Sequence, residues 1–294
     1  MSADAGSPVG SLAFEPPTPG PRRRGLAPGL VVGGAIVLGI VAMALLSFVW
    51  TPYDPTLVDP TVRLAPSSAA HWFGTDKFGR DVLSQILVGS RTTLLVGIVS
   101  VGVAAVLGVP LGLLAATAPR RVGELLMRGN DLLLAFPALL LAIMFSAVYG
   151  SSTVTAMLAI GISTVPSFAR VVRAAALQVL RTEYVLAARM AGRRATSIAV
   201  RHTLPNVASL VIVQASVSFA IAVLAEAALS FLGFGTPPPT PSWGRMLQES
   251  QELLFVDPVL AVWPGVAIAL AVLGFNLLGD GLRDRFDPRL DDRR

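Results

Sequence analysis

The chain has 294 residues, of which 53% are hydrophobic and only 14% are charged, and its formal net charge is +5 at pH 7. Soluble domains usually carry charge at about 25% of their positions, so this composition argues against a water-soluble globular domain. The sequence contains no cysteine, which excludes thiol catalysis, disulfide bonds and cysteine-ligated metal sites.

Long stretches of the sequence contain no Asp, Glu, Lys or Arg. A bilayer core of about 30 Å requires about 20 apolar residues of helix, and every one of these stretches is long enough to cross it. The longest of them contains Tyr149-Gly150-Ser151-Ser152 near its middle, which is typical of a turn and predicts two spans there. The uncharged stretches are 25–53, 92–119, 132–169, 203–225 and 258–279.

The predicted elements begin with a tail, residues 1–24, that is rich in Pro, Gly and Ser and is expected to be disordered. The apolar run after it is longer than the roughly 7 to 15 residues of a signal peptide and lacks a cleavage site, which predicts an uncleaved helix. Six spans are predicted, at 28–50, 92–117, two within 132–169, 206–231 and 259–280. The long connections between them are 51–91, 170–205 and 232–258.

The basic residues are distributed unevenly between the two sides of the predicted membrane. With six spans, 18 of the 23 Lys and Arg residues lie on the side that carries both termini. Cytoplasmic loops are enriched in Lys and Arg, so this distribution predicts that both the N- and C-termini are cytoplasmic. Membrane orientation accounts for the positive charge, and no nucleic-acid partner is expected.

The inner segment 170–205 is predicted to contain a short helix over residues 183–191. Thr182 is a plausible N-cap, Glu183 suits the positive end of the helix dipole, and Gly192 is a natural residue to follow the C-terminus. The helix carries small side chains between two larger ones, a pattern that suits docking in a groove of another protein. The small residues are Ala187, Ala188 and Ala191, and the larger ones are Tyr184 and Met190.

This segment resembles the coupling segment of permease subunits of bacterial ABC importers. The family's pattern is EAA, three residues, Gly, nine residues, a hydrophobic position, one residue and Leu-Pro. Ala187-Ala188, Gly192 and Leu204-Pro205 match at these spacings. The Glu of EAA is replaced by Leu186, and His202 occupies the hydrophobic position, as it does in the Arg-His-x-Leu-Pro-Asn form of peptide-importer permeases.

Further blocks resemble the C-type permease subunit of dipeptide and oligopeptide importers. The first, residues 71–84, has the form H-x-x-G-T-D-x-x-G-R-D-x-x-S. The second and third are the Pro-rich segment 237–244 and the segment 275–289. Together with the coupling segment they occur in the family's order, and the resemblance covers residues 28–290.

The resemblance implies an all-α polytopic protein of the bacterial cytoplasmic membrane, with six transmembrane helices and the type I ABC importer permease fold. We expect a cytoplasmic tail at 1–24, helix 1 with an outer loop at 25–91, a core permease domain at 92–281 and a second tail at 282–294. The core domain contains helices 2–6 and the coupling segment 170–205. The expected function is to form half of a translocation pathway for di- or oligopeptides and to couple ATP hydrolysis to alternating access.

The implied partners are a second permease subunit, two cytoplasmic ABC ATPases, an extracytoplasmic binding protein and the lipid bilayer. The single lysine, Lys77, does not follow a glycine, so the sequence has no phosphate-binding loop. ATP and Mg are therefore expected on the partner ATPases, with no cofactor or metal on this chain and no catalytic residues. The residues expected to couple to the ATPase are Thr182, Glu183, Tyr184, Leu186, Ala187, Ala188, Ala191, Gly192, Leu204 and Pro205.

Other polar positions have two interpretations each. Asp76, Arg80, Asp81 and Trp243 are candidates for contact with the binding protein, while the charged residues among them are equally suited to capping the outer loop. Glu226 is the one carboxylate within an apolar span, and such residues are candidates for a translocation path. It is also suited to a hydrogen bond with a neighbouring helix.

Two other classes of function remain open from the sequence. An ion-coupled secondary transporter of a small solute usually shows internal repeats and carboxylates near the membrane midplane, and the sequence shows no convincing repeat. An integral-membrane enzyme would require a cluster of His, Asp or Glu at one depth. The sequence does not separate dipeptides from longer peptides, nickel complexes, glutathione or haem as the substrate.

Overall fold

A computed structural model describes residues 28–286, and no β-strand occurs among them. The expected tail at 1–24 and residues 287–294 of the second expected tail lie outside the described residues. The elements in chain order are α1 (Pro28–Val49), a 3₁₀ turn (Pro60–Val62), α2 (Val82–Thr117), α3 (Arg120–Leu134), α4 (Ala138–Tyr149), α5 (Thr153–Val179), α6 (Glu183–Met190), α7 (Ala195–Ile198), a π-helical turn (Ala199–Thr203), α8 (Leu204–Phe231), α9 (Trp243–Gln251) and α10 (Val259–Phe286). These elements confirm the predicted all-α fold class.

Five helical segments are long and apolar enough to cross a membrane: α1, α2, α5, the continuous run from α7 to α8, and α10. The third predicted span is instead divided between α3 and α4, whose axes differ by 78°, so a sixth span exists only if this bent pair is one broken span. The break falls at 135–137, where Pro137 supplies no backbone N–H and disfavours a helical conformation in the residue before it. Residues 120–130, which lie between the second and third predicted spans, belong to α3.

Several helices extend past the uncharged stretches that predicted them. α2 begins at Val82 rather than at residue 92, α5 continues to Val179, and α10 continues to Phe286. The prediction placed boundaries at charged residues, but a charged side chain on a helix can find a partner beside it. Arg91 lies within α2, where its guanidinium stacks 3.9 Å from the ring centre of Phe48 on α1.

Close helix packing is built on small residues. α2 lies along α5, and a Cβ atom on Gly108 would come within 2.6 Å of the Phe168 Cβ. α1 lies along α10, where a Cβ on Gly33 would come within 2.5 Å of the Leu278 nitrogen. Glycine at these positions lets the backbones approach, as is common between membrane helices.

An outer layer covers one end of the bundle. It consists of the irregular segment between α1 and α2 together with α9 and the turns around it. Phe73 of this segment stacks on Trp263 of α10 with ring centres 3.9 Å apart. The side chain of Trp243, at the start of α9, is completely buried among α2, α8 and α10 residues. The outer layer is therefore packed against the helix bundle.

Candidate functional site

The short helix α6 is held to the bundle by one buried side chain. Val185 has no exposed surface and packs against Leu180 and Ile198, while Ala116 at the end of α2 borders the same cluster. Thr182 lies at the N-cap position, but its hydroxyl donates to the Val179 carbonyl at 2.6 Å instead of capping the helix. The Thr182 hydroxyl thus closes the turn between α5 and α6, and the cluster around Val185 is bordered by the ends of α2 and α5.

The C-terminus of α6 ends in a Schellman motif. The Gly192 N–H donates to the Arg189 carbonyl at 2.9 Å, and the Arg193 N–H donates to the Ala188 carbonyl at 3.1 Å. Gly192 has φ of +74°, a conformation that glycine adopts without a steric penalty. This geometry agrees with the predicted C′ position of Gly192 and fixes the end of the helix.

The remaining surface of α6 is exposed and largely apolar. Met190 is 90% exposed, and Tyr184 and Leu186 are about half exposed. Ala187 and Ala191 are exposed, Ala188 is half-buried, and the carboxyl group of Glu183 is in the first turn. An exposed apolar surface on a helix anchored by a single buried valine suits contact with another protein.

The entry to α8 is a π-helical turn whose cause lies in the sequence. Pro205 lacks a backbone N–H, and its ring would clash with the carbonyl four residues earlier in a regular α-helix. The preceding residues, Ala199–Thr203, widen into the π form, and the Asn206 side-chain amide donates to the His202 carbonyl at 2.6 Å. Leu204 is half-buried and packs with the cluster of Leu113 and Val207.

In the outer layer, Asp81 caps α2. Its carboxylate accepts hydrogen bonds from the Ser84 backbone N–H at 2.8 Å and from the Ser84 hydroxyl at 2.7 Å. Its other oxygen lies 2.9 Å from Nδ1 of His71. The carboxylate therefore joins the outer segment to the first turn of α2 in a buried position.

Replacing Asp81 with alanine should lower the stability of the protein by about 1–3 kcal/mol, since it removes an N-cap and leaves buried donors on Ser84 unpaired. Thermal unfolding of the detergent-solubilised protein would measure the change. Asp257→Ala, at a carboxylate that accepts from the Val259 N–H in an exposed turn, is the control and should have a much smaller effect. Equal losses in the two variants would contradict the buried-cap interpretation.

A second group of ionic contacts connects the outer segment to α9. The Arg80 guanidinium donates to Asp76 at 2.6 Å and also to Glu249, which is paired with Arg245 at 2.9 Å. Asp76 additionally accepts from the Gln85 side-chain amide at 3.0 Å. These half-buried charges compensate one another and hold the loop on α9.

Lys77 and Glu252 form a more exposed ion pair, with 2.8 Å between Nζ and Oε2. The hydrogen bond and the positive charge of Lys77 hold the pKa of the Glu252 carboxyl below its usual range. The pair therefore contributes to stability above the usual carboxyl pKa, and that contribution is lost as the pH falls through the lowered value. Because both groups border solvent, the contribution is small.

Trp243 and Glu226 are both buried within the chain. The indole N–H of Trp243 donates to the Ile86 carbonyl at 3.0 Å, and none of its side chain is exposed in this conformation. Glu226 is 1% exposed, and its carboxyl group accepts from the Ser230 hydroxyl at 2.6 Å and from the Thr236 hydroxyl at 3.4 Å. Its hydrogen bonds therefore tie α8 to the segment that leads into α9.

The model of one protein family, the binding-protein-dependent transport system inner membrane component, matches residues 108–292. The chain belongs to this family. It is 41% identical over 260 residues to the dipeptide transport system permease protein DppC of Alkalihalophilus pseudofirmus, covering 88% of this chain and 86% of that protein. It is 42% identical over 262 residues to the glutathione transport system permease protein GsiD of Pectobacterium atrosepticum, covering 88% and 87% respectively. The resemblance inferred from the sequence is confirmed.

The fold is also similar to that of a solved transporter. A chain of the MetNI methionine ABC transporter, in an inward-facing structure, superposes with a TM-score of 0.58 at 18% identity, covering 69% of this inner membrane component and 97% of that chain. At this identity the likeness shows the fold alone. It is the fold of an ABC importer permease, in a multi-pass membrane protein.

Some contacts of this inner membrane component were missed from its sequence. The prediction named Asp76 and Arg80 but not Glu249, which completes their network from 169 positions away along the chain. The spacing of Arg245 and Glu249, four residues apart on a polar helix, was the available signal for part of it. Glu252, the partner of Lys77, had no such signal.

Proposed function

We propose that this chain is the permease subunit of an ABC importer for short peptides and forms half of the translocation pathway. The observation that carries the proposal is α6, a short helix with an exposed apolar surface that is anchored to the ends of α2 and α5 through Val185. Family membership and the names of its relatives support the same conclusion.

The coupling step uses α6 as a lever. A partner ATPase would bind the exposed side chains of Tyr184, Leu186 and Met190, with the alanines allowing close approach. When the ATPases close on ATP, displacement of α6 is transmitted through Val185 to the ends of α5 and α2. These two helices pack along each other over a long contact. A shift between inward and outward states requires contacts that differ between the two states, and the α6 docking surface would supply them.

The partners follow from this assembly. A second permease would complete the pathway, two ATPases would bind ATP and Mg in the cytoplasm, and an extracytoplasmic binding protein would deliver substrate. Both termini would be cytoplasmic, which puts α6 on the ATPase side and the outer layer on the side of the binding protein.

The outer layer offers the surface for the binding protein. Asp76 and Arg80 would contribute from its ionic network, while Asp81 and Trp243 would hold that surface from beneath. A role for Glu226 in the translocation path stays a prediction. In this structure its carboxyl group accepts hydrogen bonds from Ser230 and Thr236.

The substrate class is inferred from the relatives. Their names include dipeptide, di- and tripeptide, and glutathione transport. All of these substrates are short peptides or a peptide-like thiol, so we assign short peptides to this chain.

The assembly can be tested with a C-terminal tag and gentle extraction from native membranes, followed by mass spectrometry of the co-purifying chains. We expect a second permease and ABC ATPases, and crosslinks from residues 183–191 to the ATPase. A chain that purifies alone and drives uptake with an ion gradient would overturn the proposal in favour of a secondary transporter.

A further inference from the structure

A basic cavity lies immediately after α6, at the entry to α8. It is a wide, shallow depression on the surface rather than an enclosed pocket, and its volume is about 580 Å³. Three arginines contribute to its wall, together with two hydroxyl side chains and one exposed apolar residue. The lining residues are Gly192, Arg193, Arg194, Thr196, Ser197, Val200 and Arg201.

The three arginines, Arg193, Arg194 and Arg201, are exposed, and their guanidinium groups have no ion-pair or hydrogen-bond partner among residues 28–286. No acidic residue lines the cavity. Three like charges around one opening repel one another unless an anion joins them. Guanidinium groups bind phosphate oxygens through paired N–H donors, so the donor set favours a phosphate group.

The position of the cavity relative to the membrane favours a lipid phosphate. Arg201 is followed after one residue by Thr203, where the uncharged stretch 203–225 begins. At about 1.5 Å per residue, Arg201 therefore lies within a few ångströms of the start of this uncharged stretch, which is the depth expected for the headgroups. Val200 is 60% exposed on the cavity wall and provides an apolar surface for the base of an acyl chain.

We propose that this cavity binds the phosphodiester headgroup of an anionic phospholipid, with the three arginines around the phosphate and Val200 against the acyl chain. No residue of α6 lines the cavity, but Gly192, which follows α6 and is among the residues expected to couple to the ATPase, does, so the lipid site adjoins the surface proposed for the ATPase. A lipid bound there would hold the segment between α6 and α8 at the membrane surface.

The test is titration of phosphatidylglycerol against the purified full-length chain, together with the partners that co-purify, measured by native mass spectrometry. The triple variant Arg193→Gln, Arg194→Gln and Arg201→Gln should bind phosphatidylglycerol at least about ten-fold more weakly, because each basic residue near an anionic lipid contributes to attraction. The matched control, Arg121→Gln, Arg128→Gln and Arg283→Gln, removes the same charge from exposed positions elsewhere and should bind nearly as well as the unmodified chain.

Two further measurements distinguish lipid binding from misfolding of the triple variant and from binding of free phosphate. Thr196→Glu places a carboxylate in the cavity and should weaken lipid binding as the triple variant does, which covers the case of a triple variant that fails to fold. Inorganic phosphate at millimolar concentration should not displace the lipid, and full displacement would instead indicate a free-phosphate site. Unchanged lipid binding in the triple variant would overturn the proposal. If the triple variant also loses the co-purifying ATPase, the cavity is assigned to an acidic surface of the ATPase.

Discussion

Replacing Trp243 with alanine is expected to destabilise the protein by about 3–5 kcal/mol, the usual cost of truncating a large buried aromatic side chain. The indole is completely buried, and it packs so closely on Gly89 of α2 that a Cβ there would lie 2.7 Å from its Cδ1 atom. Its N–H donates to the Ile86 carbonyl at 3.0 Å. Truncation therefore opens a cavity beneath α9 and removes a hydrogen bond between α9 and α2.

The fraction of detergent-solubilised protein that survives heating, followed by size-exclusion chromatography, measures this loss. Trp72→Ala is the matched control, because Trp72 lies in the same outer layer but is 62% exposed, and its removal should change stability little. Trp243→Phe should give an intermediate result, since it retains most of the volume but not the N–H donor. Similar losses in the Trp72 and Trp243 alanine variants would show that burial of Trp243 does not stabilise the outer layer.

The sequence predicted the apolar centres of the spans well and their ends poorly. Uncharged length located α1, α2, α5, α8 and α10, since the bilayer demands it. It could not locate the start of α2, because Arg91 stacks on Phe48 and so remains within the helix. That stacking depends on a neighbouring helix, which no local pattern records.

The bend between α3 and α4 shows a second limit. Pro137 was visible in the sequence, but a proline within an apolar run predicts a kink, a break or a tolerated bend equally well. The contacts of α3 with α5 accompany the sharp angle observed. Asp131 on α3 pairs with Arg170 on α5 at 2.7 Å, and the Asn130 side chain contacts the Pro166 carbonyl at 3.4 Å.

The two candidate regions differ in how far sequence could predict them. α6 was predicted almost to the residue, because its start, its C-terminal glycine and its exposed side chains are all local features. The outer layer depends on pairs such as Arg80 with Glu249, which are distant in the chain. Its residues could be named in part, but their hydrogen bonds required the folded structure.

The surface of α6 gives the second large effect. Met190→Glu combined with Tyr184→Glu should reduce co-purification of the ATPase, and peptide uptake, by about ten-fold or more. Two charges would then lie on a surface that is now largely apolar, and an unpaired charge buried in the proposed interface would cost several kcal/mol. Met190 is 90% exposed and Tyr184 is 47% exposed, so the fold of the permease should be unaffected. Quantitative mass spectrometry of the tagged complex, together with thermal unfolding of the permease, separates the two effects.

The matched control is Leu57→Glu combined with Val58→Glu, which introduces the same two charges at side chains that are 60% and 54% exposed in the outer layer. It should leave ATPase co-purification unchanged, since the proposed orientation puts Leu57 on the opposite side of the membrane from α6. Val185→Asp gives the contrasting result, because burial of a charge in the cluster with Leu180 and Ile198 should disrupt the permease itself. If the Met190 and Tyr184 double variant retains the ATPase and transports normally, α6 is not the coupling surface, and the force must enter the bundle elsewhere.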